Sequence, residues 1–298
     1  MYFPIADIHA NPLIVFFTAF IVSFFTSMGG ISGAFLLLPF QMSILGYTSP
    51  SVSATNHVFN IIAIPSGVYR YIKEKRMLWP LAKTITFGTL PGVFIGAWIR
   101  IEFLPDPKNF KVFAGGVLLY IGLKLLKDIL SKNTGKDTRQ AITGTGFHSL
   151  TVTDTSFKKV RFTFGGKLYA YAPLTIYVLC FFVGIIGGIY GIGGGSIIAP
   201  VLVTLIGLPV YVIAGAALLG TFVTSVSGVI FYNFLAYAYP HITIAPDWML
   251  GTLFGSGGFL GMYFGARSQK HVKEIYIKSI LAGCILFVAI KYIVGFLI

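Results

Sequence analysis

Ten long apolar stretches, separated by short polar links, are the feature that most constrains this chain. They lie at 13–28, 33–46, 51–72, 80–100, 108–130, 173–190, 194–207, 209–235, 247–267 and 274–298. About 20 apolar residues are needed for a helix to cross the hydrocarbon core of a bilayer, and most of the longer stretches reach that length. Only 10% of the residues are charged and 56% are hydrophobic, which is unlike a soluble enzyme and excludes intrinsic disorder. The sequence therefore predicts an all-α polytopic membrane protein.

Two pairs of stretches are too short for ordinary crossings: 13–28 with 33–46, and 173–190 with 194–207. A 14-residue helix such as 33–46 rises only about 21 Å, whereas the hydrocarbon core is roughly 30 Å thick. A cluster of glycines separates the members of each pair. We expect each pair to form a helical hairpin with the glycine cluster at its tip, and the other six stretches to cross fully.

The chain also contains an internal repeat. Equivalent residues share one offset along two helices: Gly30 with Gly191, Gly33 with Gly194, Pro39 with Pro200, Ser66-Gly67-Val68 with Ser227-Gly228-Val229, and Tyr71 with Tyr232. After a short insertion the match resumes: Trp79 with Trp248, Gly92 with Gly261, and Gly96-Ala97 with Gly265-Ala266. Such duplication is typical of secondary transporters. The predicted organisation is a first membrane repeat (1–130), a linker (131–172) and a second membrane repeat (173–298).

The charges predict that the two repeats have opposite orientations. Basic links between membrane helices stay on the cytoplasmic side. The link 73–76 is Lys-Glu-Lys-Arg, whereas its counterpart 236–246 has no Lys or Arg. The bias reverses at the next links, because 100–111 is nearly balanced and 267–278 is basic. We therefore predict two inverted repeats, each a glycine-tipped hairpin followed by three transmembrane helices.

The polar linker 131–172 is rich in Lys and Arg and is predicted to be cytoplasmic. Its part 147–171 alternates Thr, Val and Phe with polar residues, which favours a small β-hairpin. The linker and the basic links account for much of the formal net charge of +13. We therefore expect no nucleic-acid partner.

The glycine clusters have the chemistry of an anion site. A helix that begins after each cluster presents N–H groups without intrahelical partners at the positive end of its dipole. Deep in lipid, such groups must line a cavity or meet a ligand. Two tips that enter from opposite sides would meet near the midplane and share one anion. The predicted binding residues are Gly30, Ile31, Ser32, Gly33 and Ala34 in the first tip, and Gly191, Gly193, Gly194, Gly195 and Ser196 in the second.

The alternative interpretation is that the glycines only let helices pack closely. For the two tips we favour anion binding, because a helix break inside apolar sequence needs a reason. For Gly92-x-x-x-Gly96 and Gly261-x-x-x-Gly265 we favour close packing.

Polar side chains on two equivalent helices complete the predicted site. They are Asn56, His57 and Asn60 on one helix and Thr221, Thr224 and Ser225 on the other. Polar residues inside membrane segments usually face the interior or a pathway, although hydrogen bonds between helices would also explain them. Asn60 and Thr221 are repeat equivalents, and we expect both to face the tips. His57 is a candidate for coupling proton movement to transport, against the simpler interpretation of an interfacial histidine.

These motifs resemble a known family. The duplicated glycine-rich cluster followed by proline, the Ser-Gly-Val on the next helix and the pattern Pro91-Gly92-x-x-x-Gly96-Ala97 are similar to those of the TauE/SafE sulfite exporters. The resemblance covers most of the chain outside 131–172. It implies a membrane transporter of sulfur-containing anions, including sulfite, sulfoacetate and related organosulfonates. The first cluster departs from the glycine-rich form, with Ser32 and Ala34 where the second has Gly193 and Gly195, so the two tips are unequal.

Two other functions remain open at this stage. Gly30-Ile31-Ser32-Gly33 matches the Gly-x-Ser-Gly of rhomboid intramembrane proteases, with His57 as the base, but the serine is replaced by Gly193 in the second repeat. A passive anion channel would share the site and would need a continuous pore.

The remaining expectations concern partners and location. We expect no enzyme activity, no cofactor and no metal, because no ligand spacing or cofactor fingerprint is present. The predicted partners are a small anionic substrate and the lipid bilayer of the plasma (inner) membrane. The sequence leaves open the coupling ion, a proton or sodium, and the oligomeric state, a homodimer among the alternatives.

Overall fold

Ten α-helices dominate the part of the chain that this computed structural model describes, which is residues 1–130, 150–156, 158–272 and 274–297. The helices are α1 (Pro12–Met28), α2 (Ala34–Ser43), α3 (Ser51–Lys73), α4 (Trp79–Glu102), α5 (Pro107–Leu130), α6 (Pro173–Tyr190), α7 (Gly194–Ile206), α8 (Val210–Ala238), α9 (Trp248–Ser268) and α10 (Glu274–Leu297). A 3-10 turn follows α9 at Gln269–His271. Each helix coincides with one predicted apolar stretch. The all-α fold is thus confirmed.

Local signals set several helix boundaries. The Asn11 side chain caps α1 by accepting a hydrogen bond from the Leu13 N–H at 2.9 Å, with Pro12 as the first helical residue. Asp247 caps α9 in the same way, accepting from the Leu250 N–H at 2.9 Å. The helix α6 ends at Gly191, whose φ of 77° lies in the left-handed region. These short-range rules explain why the elements were readable from the sequence.

The glycine-rich faces of α4 and α9 pack against the first arm of a hairpin. The helix α4 contacts α6 most extensively, and α9 contacts α1 to a similar extent. A Cβ atom at Gly92 would overlap the carbonyl oxygen of Phe181, and one at Gly261 would overlap that of Phe20. Glycine therefore allows the two backbones to approach. This confirms the packing interpretation for these glycine pairs.

The helix contacts are paired in the way the repeat numbering suggests. By the repeat, the helices α1 to α5 correspond to α6 to α10. The contact of α4 with α6 then has its counterpart in that of α9 with α1, and the contact of α3 with α9 in that of α8 with α4. The contacts of α3 with α8 and of α5 with α10 each join two equivalent helices. Single hydrogen bonds repeat too. The Tyr71 hydroxyl donates to the Ser27 carbonyl at 3.1 Å, and Tyr232 donates to the Gly188 carbonyl at 3.0 Å. The inverted orientation of the repeats in a membrane remains a prediction.

The outside of the helical bundle is apolar, and polar groups lie inside it. Large hydrophobic side chains such as Phe87, Ile230, Phe234 and Phe287 are more than half exposed. Exposed apolar patches of this extent are rare on soluble monomers and suit a lipid environment. Four helices, α4, α5, α6 and α8, are long and apolar enough to cross a membrane. The chain is a multi-pass protein of the plasma (inner) membrane.

These four helices differ from the six predicted crossings. The helix α6, which the sequence predicts as a hairpin arm, has 18 residues and spans about 27 Å. The helices α3 and α9 have 23 and 21 residues but are not apolar enough. In α10 the described stretch Ile285–Val294 forms a shorter apolar helix. In α3 the cause is its run of buried polar side chains. The number of full crossings remains a prediction.

Two small sheets lie at the ends of the helical bundle. The strands β1 (Tyr2–Phe3) and β2 (Ile8–His9) form an N-terminal hairpin. The strands β3 (Thr151–Thr155), β4 (Val160–Phe164) and β5 (Lys167–Tyr171) form an antiparallel sheet, one strand more than the predicted hairpin. Phe164 of this sheet stacks on Tyr211 of α8, with ring centroids 5.6 Å apart. The linker residues 131–149 lie outside the described residues.

Candidate functional site

The first tip joins α1 to α2 through a tight turn. Gly30 has a φ of 71°, and the Ile31 N–H returns to the Thr26 carbonyl at 3.1 Å. The Ser32 hydroxyl oxygen accepts a hydrogen bond from the Ala34 N–H at 3.2 Å. It therefore occupies one of the free N–H groups at the start of α2.

The second tip joins α6 to α7 and lacks such a cap. Gly193 precedes α7 with a φ of 73° and has no side chain to cap the helix. Gly195 lies so close to α8 that a Cβ atom would be 2.5 Å from the Thr221 hydroxyl oxygen. The two tips are thus unequal, because Ser32 stands where the second tip has Gly193. The N-terminus of α7 is the less satisfied of the two.

Asn60 of α3 connects the two tips. Its side-chain oxygen accepts a hydrogen bond from the Ser32 hydroxyl, and its side-chain nitrogen donates to the Ile192 carbonyl at 3.1 Å. All three residues are buried. The helices α2 and α7 therefore begin on opposite sides of one amide group. Asn60 therefore contacts both tips, and its role in anion binding remains a prediction.

Ser225 and His57 extend this network toward α8. The Asn60 amide also donates to the Ser225 hydroxyl at 3.1 Å, and that oxygen lies 3.2 Å from Nδ1 of His57. The other ring nitrogen of His57, Nε2, has no hydrogen-bond partner in the described part of the chain and lies against Gly228. His57 is fully buried inside the helical bundle.

Thr221, the repeat equivalent of Asn60, lies beside the second tip. Its hydroxyl is 3.3 Å from that of Ser196 and donates to the Ala217 carbonyl of its own helix at 2.9 Å. Thr224 donates to the Gly220 carbonyl at 2.8 Å, and its oxygen packs against Gly193. Both hydroxyls already have acceptors within α8, and both lie next to the α7 N-terminus. Thr221 therefore lies beside the second tip, and its role in anion binding remains a prediction.

Other predicted residues do not converge on this point. Gly30 and Gly191 are packed against Ala214 and Ser53, toward opposite ends of the bundle, and Gly194 is packed against Thr89 of α4. The Asn56 side chain lies one turn from Asn60 and accepts a hydrogen bond from Gln41 at 2.7 Å. These residues shape the tips or their surroundings, while Asn60, Ser225 and Thr221 supply polar groups at the centre.

Two buried polar residues near the tips were missed by the sequence reasoning. Gln41 of α2 is fully buried, and neither its side-chain oxygen nor the Asn56 amide nitrogen beside it has a hydrogen-bond partner among the described residues. Ser23 of α1 packs against Gly33, and its hydroxyl has no partner in the described part of the chain either. A lone Gln or Ser in an apolar stretch gave no spacing signal. Only packing places them next to the tips.

The electrostatics of the centre favour negative charge. Two helix N-termini point their positive dipole ends at the region around Asn60. In the described residues, no Asp or Glu forms a hydrogen bond or ion pair with any residue of this network, so no carboxylate opposes them. The described residues also hold no group of three or more His, Cys, Asp or Glu that could bind a metal.

The geometry gives the protease alternative no support. A serine nucleophile needs a base within hydrogen-bond reach. Ser32 donates instead to Asn60, and His57 is directed to Ser225. Within the described structure, no hydrogen bond joins Ser32 to His57.

Two equivalent tyrosines, one on each side of the centre, join neighbouring helices at the two ends of the bundle. Tyr71 holds the last turn of α1 and also donates to the Gln269 side-chain oxygen at 3.2 Å. Arg76 strengthens this end, because its guanidinium lies between the Tyr71 and Tyr211 rings and donates to Gln269 at 2.7 Å. At the other end, Tyr232 holds the last turn of α6. The tyrosines were visible in the sequence as a repeated pair, but their partners were not.

Comparisons with known proteins agree with this architecture. The family model for the sulfite exporter TauE/SafE matches residues 15–292. A relative from Bacillus subtilis (strain 168), described as a probable membrane transporter protein YunE, is 23% identical over 271 residues, which cover 87% of this chain and 90% of the relative. No solved structure matches with significance. This chain belongs to the TauE/SafE sulfite exporter family of membrane transporters.

Proposed function

We propose that this membrane transporter is a secondary transporter that exports a small sulfur-containing oxyanion, such as sulfite, sulfoacetate or another organosulfonate. The observation that carries the proposal is the contact of both tips with Asn60. It brings two helix N-termini to one buried amide, and helix N-termini are common anion sites. The family name supports the sulfur oxyanion as the class of substrate.

The anion would bind between the tips by replacing hydrogen bonds that now join them. The Asn60 amide nitrogen and the Ser225 hydroxyl would turn from protein acceptors to anion oxygens, together with the Thr221 and Ser196 hydroxyls. The uncapped N–H groups of α7 would supply further donors. Hydrogen bonds to a charged acceptor are stronger than those to a carbonyl, so the exchange is favourable.

Alternating access would then follow from opening one tyrosine contact at a time. Breaking the contact of Tyr71 with Ser27 would free the first hairpin at one end, and breaking that of Tyr232 with Gly188 would free the second hairpin at the other. Movement of one repeat against the other is the usual mechanism of inverted-repeat transporters. A proton or sodium is the coupling ion of the proposal. His57 is the candidate proton carrier, because its Nε2 has no hydrogen-bond partner among the described residues.

The test is sulfite transport by the purified chain in proteoliposomes, with Asn60→Ala compared with Asn233→Ala. Asn233 is a matched control, because its amide also donates within a long apolar helix, but to the Val229 carbonyl of its own helix and not to a tip. We expect Asn60→Ala to weaken sulfite binding about ten-fold or more, since a hydrogen bond to a charged group contributes about 1.5–3 kcal/mol. Asn233→Ala should transport like the wild type. Normal transport by Asn60→Ala would refute the site.

The same assay separates the substrates and the channel alternative. Binding measured across sulfite, sulfoacetate, taurine and thiosulfate gives the substrate, and an imposed proton or sodium gradient gives the coupling ion. Flux that saturates and follows one of these gradients is expected of a transporter. Flux that rises linearly with anion concentration and ignores both gradients would instead indicate a channel.

A further inference from the structure

Arg100 is a fully buried arginine near the end of α4. Its guanidinium carbon lies 3.9 Å from the centroid of the Phe110 ring, and its Nη1 donates to the Leu104 carbonyl. The two remaining nitrogens, Nε and Nη2, have no hydrogen-bond partner among the described residues. These two nitrogens form one edge of the guanidinium, and that edge is the fork that binds an oxyanion through two parallel hydrogen bonds.

A buried cation of this kind requires a partner. The ion pairs of the described residues are Arg70 with Glu74 and Arg76 with Glu74, so Arg100 has no carboxylate. Glu102 lies two residues away, but it is exposed and accepts a hydrogen bond from Tyr239 at 2.7 Å. A buried charge without a counter-charge is unfavourable, and the ring of Phe110 and the C-terminal end of α4 satisfy only part of it.

The repeat provides an internal comparison. Arg100 corresponds to Gln269 by the offset that joins Gly96-Ala97 to Gly265-Ala266. Gln269 uses both ends of its amide, since it accepts from Arg76 and donates to the Met28 carbonyl at 2.7 Å. The first repeat therefore places an arginine with free donors where the second has a satisfied neutral amide.

The surroundings of Arg100 connect it to the second tip. Arg100 lies on α4 between Ala97 and Ile101, and these two residues pack in one apolar cluster with Tyr232. The Tyr232 hydroxyl holds the Gly188 carbonyl in the last turn of α6. The Tyr232 ring also lies beside His57, with ring centroids 5.8 Å apart. The end of α4 that carries Arg100 thus packs beside the tyrosine at this end of the bundle.

We propose that Arg100 forms a second binding position for the transported oxyanion, at the end of the bundle closed by Tyr232 and separate from the centre at Asn60. The anion docks on the Nε and Nη2 edge when Tyr232 moves, on its way to or from the centre. This inference rests on the proposed function, because it assumes that the chain carries an oxyanion. It adds a charged residue that neither the glycine tips nor the repeat pattern indicates.

The test compares Arg100→Gln and Arg100→Lys with Arg267→Gln in nanodiscs of phosphatidylcholine, with sulfite as the probe. Arg267 is a matched control, because it lies in the last turn of α9 and is exposed. We expect Arg100→Gln to weaken sulfite binding at least ten-fold while melting at the wild-type temperature or above in anion-free buffer. A loss of the unpaired charge should not destabilise the chain. Arg267→Gln should match the wild type in both measurements.

Other outcomes would overturn the inference. If Arg100→Gln binds sulfite as tightly as the wild type, the free edge binds no substrate. If the glutamine variant does not fold, the same result for Arg100→Lys has the same meaning. A lower melting temperature with unchanged affinity would assign Arg100 a purely structural role. If phosphatidylglycerol stabilises the wild type through Arg100 and sulfite does not compete, the partner is a lipid headgroup and the inference is wrong. If the wild type binds no anion at all, the proposed function itself fails.

Discussion

The glycines of the two tips have different neighbours, and these decide what each position tolerates. Gly194 is packed against α4, where a Cβ atom would lie 2.5 Å from the Cβ of Thr89. A bulky residue at Gly194 would therefore damage the packing of α7 on α4 before it could block a cavity. Gly193 is constrained twice, because its φ is 73° and a Cβ would lie 2.9 Å from the Thr224 hydroxyl oxygen.

Gly193→Ala should destabilise the chain more than Gly207→Ala. Both glycines have a positive φ, 73° and 72°, but Gly193 has a ψ of 147°, outside the left-handed helical region, whereas Gly207 has a ψ of 22°, inside it. A Cβ at Gly207 would also meet nothing within 4 Å. The left-handed conformation alone costs about 1–2 kcal/mol for alanine. We expect Gly207→Ala to lose roughly that amount, and Gly193→Ala to lose more and to transport sulfite poorly. Thermal unfolding of the two variants measures the difference. Equal melting temperatures would contradict the extra constraint at Gly193, both in its backbone conformation and in its contact with Thr224.

At the scale of elements, each long glycine-rich helix supports one arm of a hairpin. The arm α6 lies on α4 and the arm α1 lies on α9, with backbone against backbone. A hairpin held in this way can carry its tip into the bundle without large side chains between the helices. Close backbone approach also adds van der Waals contact, which drives helix association in lipid.

Gly92→Ala and Gly116→Ala should have opposite effects on stability. A methyl group at Gly92 would overlap the Phe181 carbonyl oxygen, which is rigid backbone, so α4 and α6 must separate. Overpacking of this kind typically costs about 1–3 kcal/mol. At Gly116 of α5 a Cβ would meet nothing within 4 Å, and alanine should stabilise the helix by about 0.5–1 kcal/mol. Thermal unfolding in detergent measures the change in stability of each variant. A wild-type melting temperature for Gly92→Ala would contradict the packing argument.

At the scale of the whole molecule, the two ends of the bundle are closed by equivalent tyrosines but with unequal support. The Tyr71 end also has Arg76 and Gln269, joined by a hydrogen bond of 2.7 Å. At the Tyr232 end the equivalent of Gln269 is Arg100, which has two side-chain nitrogens without a hydrogen-bond partner in the described structure. The resting state should therefore open more readily at the Tyr232 end.

Tyr71→Phe and Tyr232→Phe should loosen opposite ends. Each change removes one hydroxyl that donates to a carbonyl in the last turn before a tip. We expect Tyr232→Phe to increase amide hydrogen exchange around 186–193, and Tyr71→Phe to increase it around 25–31 by a smaller factor, because Gln269 still holds Met28. Exchange read by mass spectrometry distinguishes the two segments. Tyr237→Phe, at an 88% exposed side chain, is the control. If both variants changed hydrogen exchange equally at both segments, the two ends of the bundle would not open independently.

The sequence by itself determined the helices, their breaks and the internal repeat. Apolar stretches, a proline at the start of a helix and a glycine at its end are local signals. They are informative because each segment in the bilayer must satisfy its own backbone hydrogen bonds. The unequal chemistry of the two tips was also readable, from Ser32 and Ala34 opposite Gly193 and Gly195. Asn60 and Thr221 could be placed at the tips because they are polar, equivalent in the repeat and buried in apolar sequence.

Tertiary structure alone decided which polar groups share a centre. Asn60 meets Ile192, which is far away in the chain, and only helix packing creates that contact. The same holds for Gln41 beside Asn56, and for the Arg100 guanidinium against Phe110. Sequence periodicity gives the face on which a residue lies, but the partner across a helix interface depends on how the helices cross. The free donors of Arg100 are a property of that arrangement, since a charge is unpaired only relative to everything packed around it.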